Sequence, residues 1–370
     1  MVDAMEHDER LSPTFPTTVG GLTPTWLTGV LGRSSTTGGG PDRHVVEIGT
    51  EPVGVGVGLL GTLHRVALTW SDGTGPSSVV VKGPASGARS HEVATLFDLY
   101  GTEVGFYRDL AAATGVAVPC HHAESDPRAQ AFVLVLADRS DDATFDQITG
   151  CPPDRASAVV TALADLHARH WDGDGLAAAG WLRRLDHRDL VDAFQAAVHA
   201  TWPAVRARFP DDVAPILALG DRLETVLPVV SAALARGPVT LVHGDARLDN
   251  MFFAADGGVT LCDWQLTGTS RGVRDLAYFL TQSLTAEDRA ACEHPLVDVY
   301  LARLAARGVT GYGAEEAWED YRAATVLGLV YAVVAGGGLD QATPYSVALT
   351  RTMLRRAAAA VIDHDAASLG

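Results

Sequence analysis

The sequence changes character near residue 138, and this change constrains the fold more than any other feature. Before it, segments 44–49, 62–70, 78–82 and 131–136 show the apolar alternation or the short apolar runs of β-strands. Beyond it, long stretches rich in Ala, Leu, Val and Arg have the composition of helices. A β-rich first third followed by a mainly helical remainder predicts an α+β chain with two lobes.

The helices predicted from composition and apolar spacing cover 88–113, 153–170, 187–208, 212–235, 286–307, 314–335 and 345–363. A short helix is also expected to begin at Pro24, with Thr23 as its N-cap. The predicted organisation is a flexible tail over 1–20, an N-terminal lobe over 21–137 and a C-terminal lobe over 138–370.

Charge and cysteine usage exclude several classes of protein. The chain has 28 Lys and Arg against 45 Asp and Glu, a net charge of −17, so it lacks the basic surface that nucleic-acid binding needs. Its four cysteines have no CxxC spacing and are too scattered for a disulfide framework, which favours a reducing compartment. The N-terminus is acidic where a signal peptide is basic, and the longest apolar stretch, 326–339, is shorter than the ~20 residues of a membrane span. We therefore expect a cytoplasmic monomer or homodimer without nucleic-acid or membrane partners.

Gly56, Gly58 and Gly61 form a GxGxxG pattern between two predicted strands. A dinucleotide-binding fold needs a helix directly after such glycines, but the strand-like segment 62–70 follows them. The pattern therefore favours a β-turn-β flap whose backbone N–H groups approach phosphates, with a plain glycine hairpin as the alternative. The same order of elements argues against an NAD-dependent oxidoreductase.

Lys82 ends an apolar strand one hairpin after these glycines. A cation at such a position either reaches solvent or meets an anion, and the nearby flap makes a nucleotide phosphate the candidate. An acid on the next helix could hold the lysine in place. We predict that this acid is Glu103; Glu92 lies closer in sequence and is the rival, and the alternative to both is a pair of solvated helix acids.

The segment 241–265 carries the most specific chemical signal. Two short apolar runs joined by a glycine-containing loop predict a β-hairpin, and antiparallel pairing places Asn250 and Asp263 together at its open end. Amide and carboxylate oxygens suit Mg²⁺, which takes few protein ligands. Asp245 precedes Asn250 by five residues and is near enough to orient a substrate hydroxyl or accept its proton, and Gly244 allows a close approach.

These motifs resemble those of the aminoglycoside-phosphotransferase and choline-kinase-like family, which has the protein-kinase-like fold. The run from His243 to Asn250 matches the HGDxxxxN loop of that family, and Asp263 begins the triplet that holds its metal. The resemblance covers about residues 40–345. It implies that Asp245 is the catalytic base and that Asn250 and Asp263 bind Mg²⁺.

The resemblance also implies supporting roles. Asp275 would brace the catalytic loop, His243 would support it structurally, and the helix containing His167 would be structural. The backbone of a hinge at 137–139, beginning with Ala137, would hydrogen-bond adenine. Gln265 stands where antibiotic-resistance enzymes usually carry an acid, so the chain is nearer the ecdysteroid-kinase-like and uncharacterised bacterial phosphotransferase branches, which weakens the case for an aminoglycoside substrate.

The function predicted is a Mg²⁺-dependent small-molecule kinase that moves the γ-phosphoryl group of ATP, or of GTP, to a hydroxyl of a small molecule. The alternative is a catalytically silent nucleotide-binding pseudokinase or adaptor. Lys82, Asp245, Asn250 and Asp263 occurring together argue against that alternative, because a chain without catalysis has no need for all four. The segments expected to select the acceptor carry no motif that identifies it.

Overall fold

In the computed structural model, residues 13–33, 43–54, 61–338 and 343–366 are described, and they form two lobes. The N-terminal lobe contains an antiparallel sheet in the order β1-β2-β3-β5-β4. Its strands are β1 Val45–Pro52, β2 Gly61–Trp70, β3 Ser78–Pro84, β4 Cys120–Asp126 and β5 Ala131–Ala137. The strands on either side of the glycine pattern pair with each other, as the flap requires, whereas Gly56 and Gly58 lie outside the described residues.

The helices of this lobe are α1 Pro24–Arg33, α2 Ala88–Leu96, α3 Leu99–Asp109 and α4 Ala111–Thr114. Helix α1 begins as predicted, because the Thr23 hydroxyl accepts a hydrogen bond of 3.1 Å from the backbone N–H of Trp26. The helix predicted over 88–113 is interrupted. Asp98 has φ +52°, a left-handed conformation that ends one helix and starts the next on a different axis.

Strand β5 is buried on both faces, which explains its continuous apolar sequence. Ala131, Val133 and Val135 face one hydrophobic cluster, which includes α1, while the alternate side chains face the larger core of the molecule. Phe15, within the segment predicted to be a flexible tail, is buried in the first cluster. The described part of that segment is therefore packed on the sheet, because Phe15 removes apolar surface from water there.

The C-terminal lobe is mainly helical. Its helices are α5 Pro153–Arg169, α6 Arg188–Arg208, α7 Pro210–Val213, α8 Leu217–Gly220, α9 Leu223–Leu234, α10 Val273–Ser283, α11 Ala286–Ala306, α12 Ala314–Gly338 and α13 Pro344–Asp363. Four short strands, β6 Thr240–Val242, β7 Met251–Phe253, β8 Val259–Leu261 and β9 Gly268–Ser270, pair as β6 with β9 and β7 with β8. The mixed α+β class is therefore confirmed.

Helix α12 lies at the centre of this lobe, packed on α6, α9, α10 and α13. Among the described residues it is the one helix whose length and composition would allow it to cross a membrane. About two thirds of its apolar window, 67%, is buried inside the fold, as in the core helix of a globular lobe. The prediction of a buried helix in this stretch is confirmed.

Two further sets of contacts hold helix α5 and the β7–β8 hairpin in place. Asp165 on α5 pairs with Arg303 at 2.6 Å and with Arg307 at 2.8 Å, which ties α5 to the end of α11. The β7–β8 hairpin is tied to the N-terminal lobe, because the N–H of Val118 donates to the carbonyl of Leu261 at 2.9 Å. The hairpin therefore lies directly beneath the sheet, at the junction of the lobes.

Candidate active site

Lys82 connects the two lobes through its ammonium group. Its Nζ lies 2.9 and 2.7 Å from the two carboxylate oxygens of Glu103 on α3, and 2.9 Å from Oδ1 of Asp263, which follows the hairpin. Glu92, the rival partner, is exposed on α2. The acid that contacts Lys82 is thus Glu103, as predicted.

The strand period explains why Lys82 faces the junction. On β3, Val79 and Val81 point into the cluster beneath α1, so Lys82 points to the opposite side, towards α3. Gly61 pairs opposite the end of β3, and a Cβ built there would lie 3.1 Å from the Cε of Lys82 and 3.2 Å from the carbonyl of Gly83. The last glycine of the pattern therefore leaves room for the lysine stem.

Burial and charge act in opposite directions on these groups. Burial lowers the pKa of Lys82, but the charges of Asp263 and Glu103 outweigh it and raise the pKa above its usual value, so the ammonium stays charged. Burial raises the pKa of Glu103, Asp263 adds to that shift, and Lys82 opposes it. A polyphosphate can bind to an ammonium group held in this way, because its negative oxygens can take the place of one of the two carboxylates.

The open end of the hairpin brings Asn250 and Asp263 into adjacent positions, as predicted. The N–H of Cys262 donates to the backbone carbonyl of Asn250 at 3.0 Å, which extends the β7–β8 pairing by one step. Asp263 itself has φ +64°, a left-handed conformation in which the chain leaves the strand direction. That turn aims its carboxylate at Lys82.

Asp245 is surrounded by donors. The side-chain amide of Asn250 donates to both the carbonyl and Oδ2 of Asp245, each at 2.9 Å. Arg247 lies 3.4 Å from the same Oδ2 and 2.6 Å from Asp249. The buried hydroxyl of Tyr278 also faces Asp245; burial, with the charge of Asp245 added, raises the pKa of Tyr278 well above its usual value.

Asp275 holds the backbone just before Asp245. Its Oδ2 accepts from the N–H of His243 at 2.6 Å, and its Oδ1 accepts from the N–H of Gly244 at 2.9 Å. His167 lies 3.3 Å from Oδ2. Burial would raise the pKa of Asp275, but the hydrogen bond and charge of His167, with the other donors, lower it below its usual range. Asp275 contacts the loop in the manner of the predicted brace.

Gly244 and His243 join the loop to the hairpin. Gly244 has φ +84°, and a Cβ on it would lie 2.0 Å from the carbonyl oxygen of Leu266, so no other residue fits. The Nδ1 of His243 accepts from the N–H of Asp245 at 3.2 Å, which leaves Nε2 to donate to the carbonyl of Cys262 at 2.9 Å. These bonds fix the position of Asp245 relative to Asp263.

The segment predicted as the hinge, 137–139, begins at the last residue of β5. The N–H of Ala137 already donates to the carbonyl of Pro119 at 2.8 Å, because Ala137 is still part of β5. The N–H of Ala137 is therefore not free to bind another group. Asp138 anchors this segment, since its carboxylate accepts from Arg65 and Ser78, each at 2.7 Å.

Two neighbours in this site, Arg247 and Tyr278, were not predicted from the sequence, and neither were the contacts of the Asp138 carboxylate. Arg247 lies inside the HGDxxxxN run, between Asp245 and Asp249, and a cation between two acids could have indicated an ion pair there. Tyr278 lies three residues after Asp275 on α10, which places it on the same helix face, but α10 was not predicted. Asp138 belongs to the predicted hinge, but nothing in the sequence indicates that its carboxylate binds Arg65 and Ser78.

The residues can hold a polyphosphate and a hard cation. No group of three or more His, Cys, Asp or Glu within the described ranges could hold a metal by itself. Asn250 and Asp263 nonetheless lie near each other at the open end of the hairpin and each carries an oxygen ligand, which fits Mg²⁺ because that ion completes its shell with water and phosphate oxygens. Lys82 adds a fixed positive charge, and Asp245 adds a carboxylate held by neighbouring donors.

Comparison with known proteins gives a family match. Residues 62–324 match the model of the phosphotransferase enzyme family, which is more than half of the chain. No curated protein sequence matches that of this chain.

Solved structures share the fold at low identity. Choline kinase from Cryptosporidium parvum superposes with a TM-score of 0.55 and 12% identity, over 86% of this chain and 91% of that one. Spectinomycin phosphotransferase in complex with ADP and spectinomycin gives 0.54 and 10%, over 93% and 99%. A candidate aminoglycoside phosphotransferase from Ralstonia eutropha gives 0.52 and 14%, over 92% and 97%. The two-lobed kinase-like fold expected from the resemblance is thus confirmed.

Proposed function

We propose, from the premise that the chain belongs to the phosphotransferase enzyme family, that it transfers the γ-phosphoryl group of ATP or GTP to a hydroxyl of a small molecule. The similar structures are named for choline and for spectinomycin, both hydroxylated small molecules. We extend that class of acceptor, and not either compound, to this chain. The alternative of a silent adaptor remains an outcome of the test below.

One observation carries the proposal: Lys82 contacts Glu103 and Asp263 at once, although the three residues come from a strand, a helix and a distant hairpin. A buried cation positioned by one carboxylate and shared with a second is suited to bind phosphates between the lobes. A structural ion pair would need only one of the two acids.

The residues divide the chemistry among them. Lys82 and the glycine flap bind the phosphates, and Asn250 and Asp263 would hold Mg²⁺, which supplies charge neutralisation when bound. Asp245 orients the acceptor hydroxyl and receives its proton at a carboxylate oxygen. Because Asn250 and Arg247 hold that carboxylate from one side, its position relative to the acceptor is set before the substrate arrives.

The same proposal places the enzyme in the cytoplasm as a monomer or homodimer. Cys120, Cys151, Cys262 and Cys292 are all free thiols in the structure. Burial raises the pKa of Cys262 to about 12, so this thiol beside Asp263 stays protonated and unreactive at neutral pH.

The direct test is a transfer screen with [γ-³²P]ATP and Mg²⁺ over a panel of hydroxylated metabolites and antibiotics. We expect label to move to at least one acceptor, to require Mg²⁺ and to disappear with EDTA. The same screen with [γ-³²P]GTP reports the nucleotide preference. Tight Mg²⁺-dependent ATP binding without transfer to any acceptor would favour the adaptor instead.

A further inference from the structure

Four arginines of the described residues are almost fully buried, and three of them have evident partners. Arg271 contacts Glu316 and Asp320, Arg289 contacts Glu293 and Asp363, and Arg356 donates to three backbone carbonyls, for example to that of Gln147 at 2.7 Å. The fourth, Arg274, differs from the others. Among the described residues, it has neither an acidic partner nor a set of backbone carbonyls around it.

Arg274 is 7% exposed, and it donates one hydrogen bond, of 2.6 Å, to the hydroxyl of Tyr331. Its Nε is buried without a partner, and no carboxylate among the described residues lies within 4.0 Å of its guanidinium. The neighbouring Asp275 makes no ion pair with Arg274, because the two oxygens of its carboxylate face the N–H groups of His243 and Gly244. A buried cation without an anion is unfavourable, so this position calls for a negatively charged ligand.

Arg274 lines a small open cavity between the lobes. The described side chains that line it are mainly apolar and include no acid; among them are Phe97, Leu99, Leu190, Phe194 and Leu266. A second arginine of the wall, Arg183, pairs with Asp98 at 3.4 Å. An adjoining smaller cavity on the other side of Phe194 also has Arg274 in its wall and again has no acid. In a chain with a net charge of −17, a cavity whose wall holds Arg274 without an acidic partner is a local reversal of sign.

The cavity is next to the proposed catalytic group. Leu266, in its wall, touches Gly244 so closely that a Cβ there would lie 2.0 Å from the Leu266 carbonyl oxygen, and Gly244 directly precedes Asp245. Tyr278 faces Asp245 with its hydroxyl and packs edge-on against Tyr331, the partner of Arg274, at 5.3 Å between ring centroids. A molecule held at Arg274 can therefore present a hydroxyl towards Asp245.

We propose that the phosphoryl acceptor is an anionic alcohol, with a carboxylate or phosphate group bound by Arg274 and an apolar skeleton held by the surrounding leucine and phenylalanine side chains. This inference rests on the proposed function and names its substrate class. A planar guanidinium binds either anion in a bidentate manner. Arg274 repels a polycationic acceptor, and the apolar wall offers few partners to a polyhydroxylated one.

The test uses four matched sets of acceptors of four to eight carbons with [γ-³²P]ATP and Mg²⁺. These are monohydroxyalkanoates, hydroxyalkyl phosphates, the neutral hydroxyalkanamides and amino alcohols. We expect at least one anionic set to exceed the amides by about tenfold or more in kcat/KM, since a hydrogen bond to a charged group contributes that much. The first two sets distinguish a carboxylate from a phosphate.

Variants assign the preference to a residue. Arg274→Gln should reduce the ratio of acid to amide by about 10–100-fold, mainly through KM for the acid, and Arg274→Lys should retain part of it. Arg155→Gln, at an exposed side chain on α5 outside the cavity wall, removes an equal charge and should leave the ratio unchanged. A competition experiment on the unaltered enzyme avoids any folding defect: hexanoate should compete with the acceptor, and hexanamide should not.

The outcomes separate the two proposals. Transfer that is Mg²⁺-dependent but equal or better with amides or amino alcohols overturns the anionic acceptor and leaves the kinase function intact. Equal loss of acid and amide activity in Arg274→Gln, with hexanoate failing to compete, also overturns it. A protein that labels none of the four sets and no other hydroxylated compound overturns both.

Discussion

Replacing Asp275 with asparagine tests how the loop before Asp245 is held. The carboxylate accepts from the N–H groups of His243 and Gly244, and asparagine of the same shape can accept from only one of them. One charge-assisted hydrogen bond is lost, a buried N–H is left facing an NH₂ group, and the remaining bond is weakened. Together these changes should cost about 3 kcal/mol.

The expected stability change is measurable. A chain of 370 residues that unfolds as one unit has an unfolding entropy of about 0.8 kcal/mol/K near its Tm, so the loss should lower Tm by about 4 °C. Because the loop that carries Asp245 is released, kcat should also fall about 10–100-fold while KM for ATP changes little. Calorimetry and steady-state transfer kinetics measure the two effects.

The matched control is Asp192→Asn, the same chemical change on the exposed face of α6. It should shift Tm by less than about 1 °C, as surface substitutions do. If Asp275→Asn behaves like this control in both assays, the carboxylate does not hold the loop and the reasoning is wrong.

Three further outcomes follow from the contacts of single residues. Lys82→Met keeps the apolar stem but should raise KM for ATP and lower kcat by about 10²–10³-fold, and unchanged kinetics would mean that the lysine binds no phosphate. Glu103→Gln should give a smaller defect in the same direction, measured beside Glu92→Gln, which should resemble the wild type; the reverse order would reassign the pairing. Burial raises the pKa of Asp165, but hydrogen bonds from its two arginine partners outweigh burial and lower it from 3.8 to about 2. A carboxylate whose pKa is lower in the folded state stabilises the fold fully only above its unfolded pKa, so this contribution is lost as pH falls from about 4 to about 2. Asp165→Asn should therefore reduce the free energy of unfolding at pH 7. It should also weaken the decrease of that free energy between about pH 4 and about pH 2, measured by urea titrations.

Much of the fold could be predicted because local pattern and burial agree. Strand β5 is a continuous apolar run and is buried on both faces, and the β7–β8 hairpin has its turn glycines where the chain reverses. Gly244 and the open end of the hairpin likewise follow from turn chemistry. These elements needed no information from distant residues.

The elements that were missed depend on distant contacts. Strand β4 has the polar sequence CHHAESD and is a strand because its backbone pairs with β5. Helix α10 has apolar residues at helical spacing, but all of its residues are buried, so its polar side chains also lie inside the protein. An amphipathic sequence predicts an exposed polar face and gives no sign of these buried contacts. The cation Arg274 and the phenol Tyr278 lie on that helix, which is why neither could be placed near Asp245 in advance.

The interrupted helix near Asp98 has a different cause. Aspartate tolerates the left-handed conformation, but nothing in a regular apolar spacing shows which residue will adopt it. The choice between Glu92 and Glu103 depended on this break, because α3 leaves Asp98 in a direction that turns Glu103 towards Lys82. Only the packed structure could settle that pairing.

The most direct test of the central claim compares transfer and nucleotide binding in Asp245→Asn. The carboxylate is proposed to orient the acceptor hydroxyl and take its proton, whereas the nucleotide is held by other residues. We expect kcat for transfer to fall by about 10²–10⁴-fold while the Kd for the non-hydrolysable analogue AMP-PNP with Mg²⁺ changes by less than about threefold. Transfer at a near-normal rate by this variant would contradict the account, because the loop from His243 to Asn250 would then not be the catalytic loop of a kinase.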